Sequence, residues 1–169
     1  TVIGDSHIKK GIVCQDSSGV YVSDHFAIAV VADGHGSAKH FRSDVGSRIA
    51  VKITLGLLKN YMKQPDFGEQ FREHPTFILR QMEKQILMKW REAVEEYHRE
   101  NPLTEEEQAK QEQLGGNLRT AVIYGSTVLA GVLAEGFAYG LVLGDGGLVV
   151  LDKGGRLFIP VEDKNSHAN

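Results

Sequence analysis

The sequence predicts an α+β fold in which antiparallel strands pack against long amphipathic helices. Three observations support this prediction: an apolar run that ends in a polar turn before a helix, two long helical patterns, and a series of short strands in the last third of the chain. The length of 169 residues is enough for a sizeable core and suggests a single domain.

The apolar run Phe26–Ala32 is short and partly β-branched, which predicts a strand buried on both faces. A tight connection to the preceding run Val20-Tyr21-Val22 predicts an antiparallel hairpin. Apolar residues then recur about every four positions from residue 38 to about Met62, which predicts an amphipathic helix with Ser37 as its cap. That stripe consists of Phe41, Val45, Ile49, Ile53, Leu57, Leu58 and Tyr61.

The turn Asp33-Gly34-His35-Gly36 joins this strand to this helix. Asp33 is therefore oriented by a packed element on each side, more tightly than on a free loop. The two glycines allow a sharp turn and a close approach of a backbone carbonyl to a ligand. His35 is the side chain of this turn that exchanges a proton near neutral pH. Taken alone, the turn is also typical of a solvated surface loop.

The rest of the chain alternates between helical and strand patterns. A second helix is predicted after Pro75, because apolar residues spaced by three or four form one face as far as Tyr97. Thr104 and Glu107 match a capping box, and the helix that follows, residues 105–113, has no apolar stripe and is predicted to be a solvated excursion. A meander is predicted for residues 126–134, 137–143, 148–151 and 156–159, with spacers rich in Gly or Asp.

Charge and cysteine content limit the kinds of partner and compartment. The net charge of −3 provides no basic field for nucleic acid or an anionic membrane, so neither is expected as a partner. Cys14 is the single cysteine and cannot form an internal disulfide, which is typical of a reducing cytoplasm. The opening Thr1-Val2-Ile3 has neither the basic region nor the apolar core of a signal peptide. We therefore expect a cytoplasmic protein.

Four short motifs follow one another along the chain: Gln15-Asp16, Asp33-Gly34-His35-Gly36, Gly125-Ser126-Thr127 and Gly144-Asp145. Their order and context resemble the metal-dependent protein phosphatases, the type 2C serine/threonine family. The opening segments Gly4-Asp5-Ser6-His7 and Cys14-Gln15-Asp16 are similar to its bacterial branch. The resemblance extends over about residues 4–159.

This resemblance implies a four-layer αββα sandwich of two antiparallel sheets flanked by helices. It implies hydrolysis of phosphoserine and phosphothreonine in a phosphoprotein substrate, through a water bridged by two Mg²⁺ or Mn²⁺ ions. By the same resemblance, Asp33 bridges the metals, the Gly34 carbonyl completes one coordination sphere, Asp16 supports the cluster and His35 is the general acid. Asp145 corresponds to an aspartate that contributes to a third, weaker metal site, although its Gly-rich surroundings are equally typical of a turn.

The chain also departs from the family pattern. Two further metal-binding aspartates are expected later in the domain, and the sequence contains no Gly-Asp-Asn triplet. We therefore expect residues 1–169 to be the N-terminal part of one phosphatase domain, with an incomplete sandwich and weak or no activity in isolation. No Arg occupies the phosphate-binding position, where His7 or Lys10 could substitute. Gln15 replaces the Glu of many relatives.

One alternative function remains open at this stage. The chain could be a non-catalytic phosphatase-like module that binds a phosphoprotein or a regulator. A structural or solvated role is favoured for six histidines, which are His7, His25, His40, His74, His98 and His167.

Overall fold

The computed structural model describes residues 3, 8–9, 11 and 13–161, and it describes the side chains of these residues except for 158–161. The strands are β1 (Ser17–Val22), β2 (Phe26–Ala32), β3 (Val128–Ala134), β4 (Phe137–Leu143), β5 (Leu148–Leu151) and β6 (Leu157–Val161). The helices are α1 (Ser43–Met62), α2 (Phe67–Glu73), α3 (Pro75–Glu100), α4 (Glu105–Gln113) and α5 (Thr120–Ile123).

Strands β1 to β4 form one antiparallel sheet in the order β1-β2-β3-β4. The predicted β1–β2 hairpin is confirmed, with Ser17 opposite Ala32 and Val22 opposite Ala27. Strands β5 and β6 form a separate two-stranded ribbon. The α+β class is therefore confirmed. Within the described residues a second full sheet is not seen, so the four-layer sandwich stays an expectation.

One face of the four-stranded sheet carries the main core. Ile28, Val30 and Ala32 of β2 are buried there against α1, whereas Val31 on the opposite face is 49% exposed. This alternation follows from the two-residue period of a strand. The prediction that β2 is buried on both faces is therefore wrong for the described structure, because α1 covers only one of them. The other face and β5 line an apolar groove of about 660 Å³.

Helix α1 begins at Ser43 rather than at residue 38 as the apolar spacing predicted. Residues 38–42 instead form turns, in which the His40 N–H donates to the Ser37 carbonyl and the Ser43 N–H to the His40 carbonyl. The Arg42 N–H donates across to the Ile123 carbonyl at 3.1 Å. This contact with α5 therefore delays the start of α1. The sequence around residue 42 gives no indication of the contact.

The predicted break after α1 contains the short helix α2, which sequence periodicity did not reveal. Its Phe67 and Phe71 pack against Phe137 and Tyr139 of β4, which explains why so short a helix is held in place. The predicted second long helix is confirmed as α3, with Pro75 in its first turn. Within the described part of the chain, no helix combines the length and the apolar character needed to span a bilayer.

Helix α4 begins with the predicted capping box. Thr104 Oγ1 accepts from the Glu107 N–H at 3.2 Å, and Glu107 Oε2 accepts from the Thr104 N–H at 2.9 Å. No residue of α4 is buried, as expected for a solvated helix. Glu107, however, also forms a two-pronged ion pair with Arg42, with bonds of 2.7 and 2.6 Å. The excursion is therefore anchored to the rest of the protein.

Arg42 makes this anchor specific because each of its N–H groups has an acceptor. Besides the Glu107 carboxylate, the guanidinium donates to the carbonyls of Asn101 and Pro102 at 2.6 and 3.0 Å and to the Tyr124 hydroxyl at 2.7 Å. Five donors in a rigid fork fit such a set, which the ammonium of Lys does not. Arg42 therefore joins α4, the end of α3 and the residue after α5.

The Arg42–Glu107 pair predicts an acid-sensitive contribution to stability. The bond to Arg42 lowers the pKa of Glu107 to about 2 from 4.5, against the opposing effect of burial. A carboxyl group whose pKa is lower in the folded state stabilises the fold above pH 4.5, and this contribution is lost as the pH falls towards 2. We expect a loss of about 1–3 kcal/mol in the free energy of unfolding, less than the whole shift implies because Glu107 is partly exposed.

Urea unfolding at pH 7 and pH 3 measures this effect. Glu107→Gln is expected to lower the free energy of unfolding at pH 7 and to reduce its dependence on pH. Glu106→Gln, on the same helix turn, is expected to leave that pH dependence unchanged. The same acid dependence in Glu107→Gln and in the unsubstituted protein would contradict the assignment.

Candidate active site

Asp33 lies directly after β2, where backbone bonds fix it to the start of β3. Its carbonyl accepts from the Thr127 N–H at 2.8 Å, and its N–H donates to Thr127 Oγ1 at 3.3 Å. Thr127 is buried. The ladder between β2 and β3 thus continues past the strand ends and holds Asp33 in a fixed position while its side chain remains exposed.

Gly34 passes between two other backbone segments. Its N–H donates to the Gln15 carbonyl at 3.2 Å, and it pairs with Ser126 in an isolated bridge. A Cβ at this position would lie 2.5 Å from the Gln15 carbonyl oxygen and 2.8 Å from the Ser43 carbonyl oxygen. Neither Gly34 nor Gly36 has a positive φ. Glycine is therefore needed at position 34 for close packing rather than for the sharp turn that the sequence suggested.

Two other aspartates influence Asp33 at this end of the sheet. The carboxyl of Asp33 lies within hydrogen-bonding reach of Asp16, and it is also close enough to Asp145 to be affected by its charge. The pKa of Asp33 is raised, first by partial burial of its carboxyl and then by the bond to Asp16 and the charges of Asp16 and Asp145, while His35 opposes the shift. The cluster thus has more negative charge than its described surroundings balance.

His35 follows Gly34 and is held from both its backbone and its ring. Its N–H donates to the Gly125 carbonyl at 3.0 Å. Its Nδ1 lies 3.4 Å from Nε2 of His40, and the two rings meet edge to face with centroids 4.6 Å apart. His35 is exposed, whereas His40 is 9% exposed. His40 is buried rather than solvated, and its contact with His35 was not predicted from the sequence.

Gln15 precedes β1 by two residues and links this segment to α1. Its side-chain amide donates to Ser43 Oγ at 2.8 Å and lies 3.5 Å from the His35 carbonyl oxygen. Ser43 is fully buried at the start of α1. Sequence reasoning noted Gln15 only as the loss of a charge near the metals. In the structure Gln15 connects the site to α1. This contact joins residues 28 positions apart and therefore could not be predicted from the local sequence pattern.

The structure brings five of the predicted site residues to one end of the sheet: Asp16, Asp33, Gly34, His35 and Asp145. Asp145 follows β4 in the turn predicted from Gly144-Asp145. The predicted phosphate-binding residues His7 and Lys10 lie outside the described residues. Within those described residues, no group of three or more His, Cys, Asp or Glu side chains is arranged to hold a metal ion.

The donor set nevertheless fits a hard divalent cation. Carboxylate and carbonyl oxygens are the ligands that Mg²⁺ and Mn²⁺ prefer, and these ions keep several waters, so few protein ligands are needed. A bound cation would also offset the mutual repulsion that raises the pKa of Asp33. The described residues therefore suit part of a coordination sphere.

Aspartates after strand ends with a histidine beside them supply oxygen ligands and a proton-exchanging group, the residue types that metal-assisted hydrolysis uses. Comparison with protein-family models matches residues 3–169 to a family described as protein phosphatase 2C. The match spans nearly the whole chain, so the chain belongs to the protein phosphatase 2C family. No curated protein and no solved structure matches it.

Proposed function

We propose that the intact protein hydrolyses phosphoserine and phosphothreonine in proteins with the help of Mg²⁺ or Mn²⁺. Membership in the protein phosphatase 2C family supports a phosphatase. Residues 1–169 would form the N-terminal part of its one phosphatase domain. The observation that carries the proposal is the meeting of Asp33 with Asp16, Asp145 and His35 at one exposed end of the sheet.

The acidic residues would hold the metal. Asp33 and Asp16 would supply carboxylate oxygens, Gly34 a backbone carbonyl, and Asp145 a carboxylate for a further ion. When bound, the cations supply Lewis acidity that offsets phosphate charge and makes a water more acidic. The packing of Gly34 between Gln15 and Ser43 and the bonds between Asp33 and Thr127 keep these ligands in place before any metal binds.

His35 would supply the proton that the leaving group needs. The alkoxide of serine or threonine is a poor leaving group, and a positioned acid that protonates it in the transition state contributes about 10²–10⁴-fold in rate. His35 is exposed next to the carboxylates and is held by Gly125 and His40. This position supports the proposal that the ring reaches a substrate phosphate ester at the acidic cluster.

Phosphate release from a phosphothreonine peptide, measured on the intact protein with Mn²⁺ and with EDTA, tests this function. His35→Gln is expected to lower kcat by about 10²-fold or more and to leave Mn²⁺ affinity nearly unchanged, because the ring donates a proton and does not bind the metal. His25→Gln, in the exposed turn before β2, is the matched control. Equal loss of turnover and of Mn²⁺ affinity in His35→Gln would mean that His35 has a structural role.

The non-catalytic alternative has one observation in its favour. The described residues include no group of three candidate ligands arranged around a metal. A module that only binds a phosphoprotein would show no Mn²⁺-dependent phosphate release from the intact protein, so the same assay separates the two functions.

A further inference from the structure

A second imidazole lies behind the proposed general acid. His40 is buried, and its Nδ1 forms a hydrogen bond with the Val122 carbonyl oxygen. A carbonyl oxygen can only accept, so Nδ1 of His40 must carry the proton of this bond. Burial lowers the pKa of His40, the bond to Val122 opposes this shift, and the charges of His35 and Lys39 act in the same direction as burial, so the neutral ring is favoured.

These constraints determine how His40 meets His35. A neutral imidazole with its proton on Nδ1 has an unprotonated Nε2 that accepts. This Nε2 lies 3.4 Å from Nδ1 of His35, so Nδ1 of His35 must be the donor. We propose that His40 is a positioning residue that fixes His35 in the tautomer with the proton on Nδ1 and leaves Nε2 as the nitrogen facing the substrate. Nε2 of His35 has no hydrogen-bond partner among residues 13–161.

The surroundings hold both rings in this relation. A Cβ at Gly125 would lie 2.6 Å from Nδ1 of His40 and 3.2 Å from Nδ1 of His35, so the two rings pack directly on that glycine. The rings are nearly perpendicular, with an angle of 86° between their planes. The carbonyl of Ile123, between Val122 and Gly125 in the chain, accepts from the Arg42 N–H. Backbone bonds thus fix the acceptors on which the orientation of both rings depends.

The arrangement matters for chemistry if the proposed function is correct. As general acid, His35 gives the proton on Nε2 to the ester oxygen as a water oxygen bonds to phosphorus and the P–O bond to the leaving group breaks, and a neutral ring with its proton on Nδ1 remains. The attacking water becomes part of the released phosphate and gives up a proton to solvent, and a solvent proton then restores Nε2–H. The bond from Nδ1 to His40 is kept in both states, so neither step requires the ring to turn or to change tautomer. His40 would thus orient His35 in the way that a carboxylate or a backbone carbonyl orients the histidine bonded to it in other proteins.

The tautomer can be measured without any turnover. In long-range ¹H–¹⁵N spectra of the metal-free intact protein, at a pH where both rings are neutral, we expect the shift of a protonated nitrogen for Nδ1 of His35 and that of an unprotonated nitrogen for Nε2. Free histidine prefers the opposite tautomer, with the proton on Nε2. A proton on Nε2 of His35 in the unsubstituted chain would overturn the proposal.

Two substitutions separate the two bonds of His40. His40→Asn places an amide N–H near the position of Nδ1, which keeps the bond to Val122 and removes the acceptor for His35. His40→Gln reaches the position of Nε2 and can again accept from His35. We expect His35 to change to the Nε2–H tautomer in His40→Asn and to recover in part in His40→Gln. His25→Asn is the control, and an unchanged His35 tautomer in His40→Asn would contradict the proposal.

Kinetic measurements on the intact protein provide a second test of the role proposed for His40. His40→Asn is expected to lower kcat for a phosphothreonine peptide by about 10-fold or more, with KM and Mn²⁺ affinity within about threefold, and His40→Gln is expected to restore part of kcat. If the unsubstituted protein releases no phosphate, the proposed function fails while the spectra still decide the tautomer. A changed tautomer with an unchanged kcat would show that the pair does not serve catalysis.

Discussion

We expect Gly46→Ala to lower the melting temperature by roughly 10 °C or more, although alanine is the better helix former. A Cβ on Gly46 would lie 1.8 Å from the Tyr124 carbonyl oxygen and 2.7 Å from its carbonyl carbon. Both atoms belong to backbone, so relief requires α1 and residue 124 to separate. Overpacking of this kind costs about 3 kcal/mol or more when the neighbours cannot move.

The neighbours of Gly46 are held from several directions. Tyr124 is fully buried and its hydroxyl accepts from Arg42, while the Arg42 N–H donates to the Ile123 carbonyl. The Gly46 carbonyl itself accepts from Trp90 Nε1 at 3.0 Å. A shift large enough to admit a methyl group would therefore weaken the contacts of α1 with both α3 and α5.

The same helix contains a matched control. Gly56 also lies inside α1, but a Cβ there would meet nothing within 4 Å. Gly56→Ala is expected to raise the free energy of unfolding by about 0.5–1 kcal/mol, because alanine restricts the unfolded chain and favours the helix. Thermal and urea unfolding of the two variants measure both effects. Stabilisation by both substitutions would show that α1 and residue 124 do not pack as closely as the structure has them.

Local patterns predicted the elements well. The bounds of β2 and β4 and the start of α3 agree with those read from apolar runs, Gly-rich turns and Pro75. The capping box at Thr104 and Glu107 was also correct. These features depend on residues within a few positions of one another, so periodicity and turn chemistry are sufficient to predict them.

Features that depend on distant contacts were missed. The start of α1 is delayed by a bond from Arg42 to Ile123, and α4 is anchored by the pair of Glu107 with Arg42, 65 positions apart. For the site, Asp33 and His35 were predicted to lie together because they belong to one short turn. The sequence pattern did not indicate the part played by His40, which depends on the Val122 carbonyl, 82 positions away. Spacing cannot show which backbone carbonyl faces a side chain.

Asp33→Asn is expected to abolish the function while sparing the fold. On the intact protein, we expect kcat/KM for a phosphothreonine peptide to fall by about 10³-fold, since a catalytic metal contributes several kcal/mol of transition-state stabilisation. The amide keeps the size of the side chain, and the backbone bonds of Asp33 to Thr127 are unaffected. It loses the negative charge that a hard cation requires.

The metal-free stability of Asp33→Asn should not fall as its activity does. Asp33 lies among like charges from Asp16 and Asp145, so removal of its charge relieves repulsion in the metal-free chain. We therefore expect the melting temperature of metal-free Asp33→Asn to be equal to or slightly above that of the unsubstituted protein. In the intact protein, Mn²⁺ at about 100 times its Kd would add about 2.7 kcal/mol to the unfolding free energy, and the variant would lose this gain.

Asp24→Asn provides the control, because it removes the same charge at the opposite end of β2, from an exposed position in the turn before it. It is expected to keep both activity and the stabilisation by Mn²⁺. A lower melting temperature of Asp33→Asn in EDTA would indicate that Asp33 has a structural role, since the repulsion argument predicts the reverse. An undiminished Mn²⁺-dependent rise in its melting temperature would show that the carboxylate at the end of β2 is not a metal ligand, and the assignment of the acidic cluster would then be wrong.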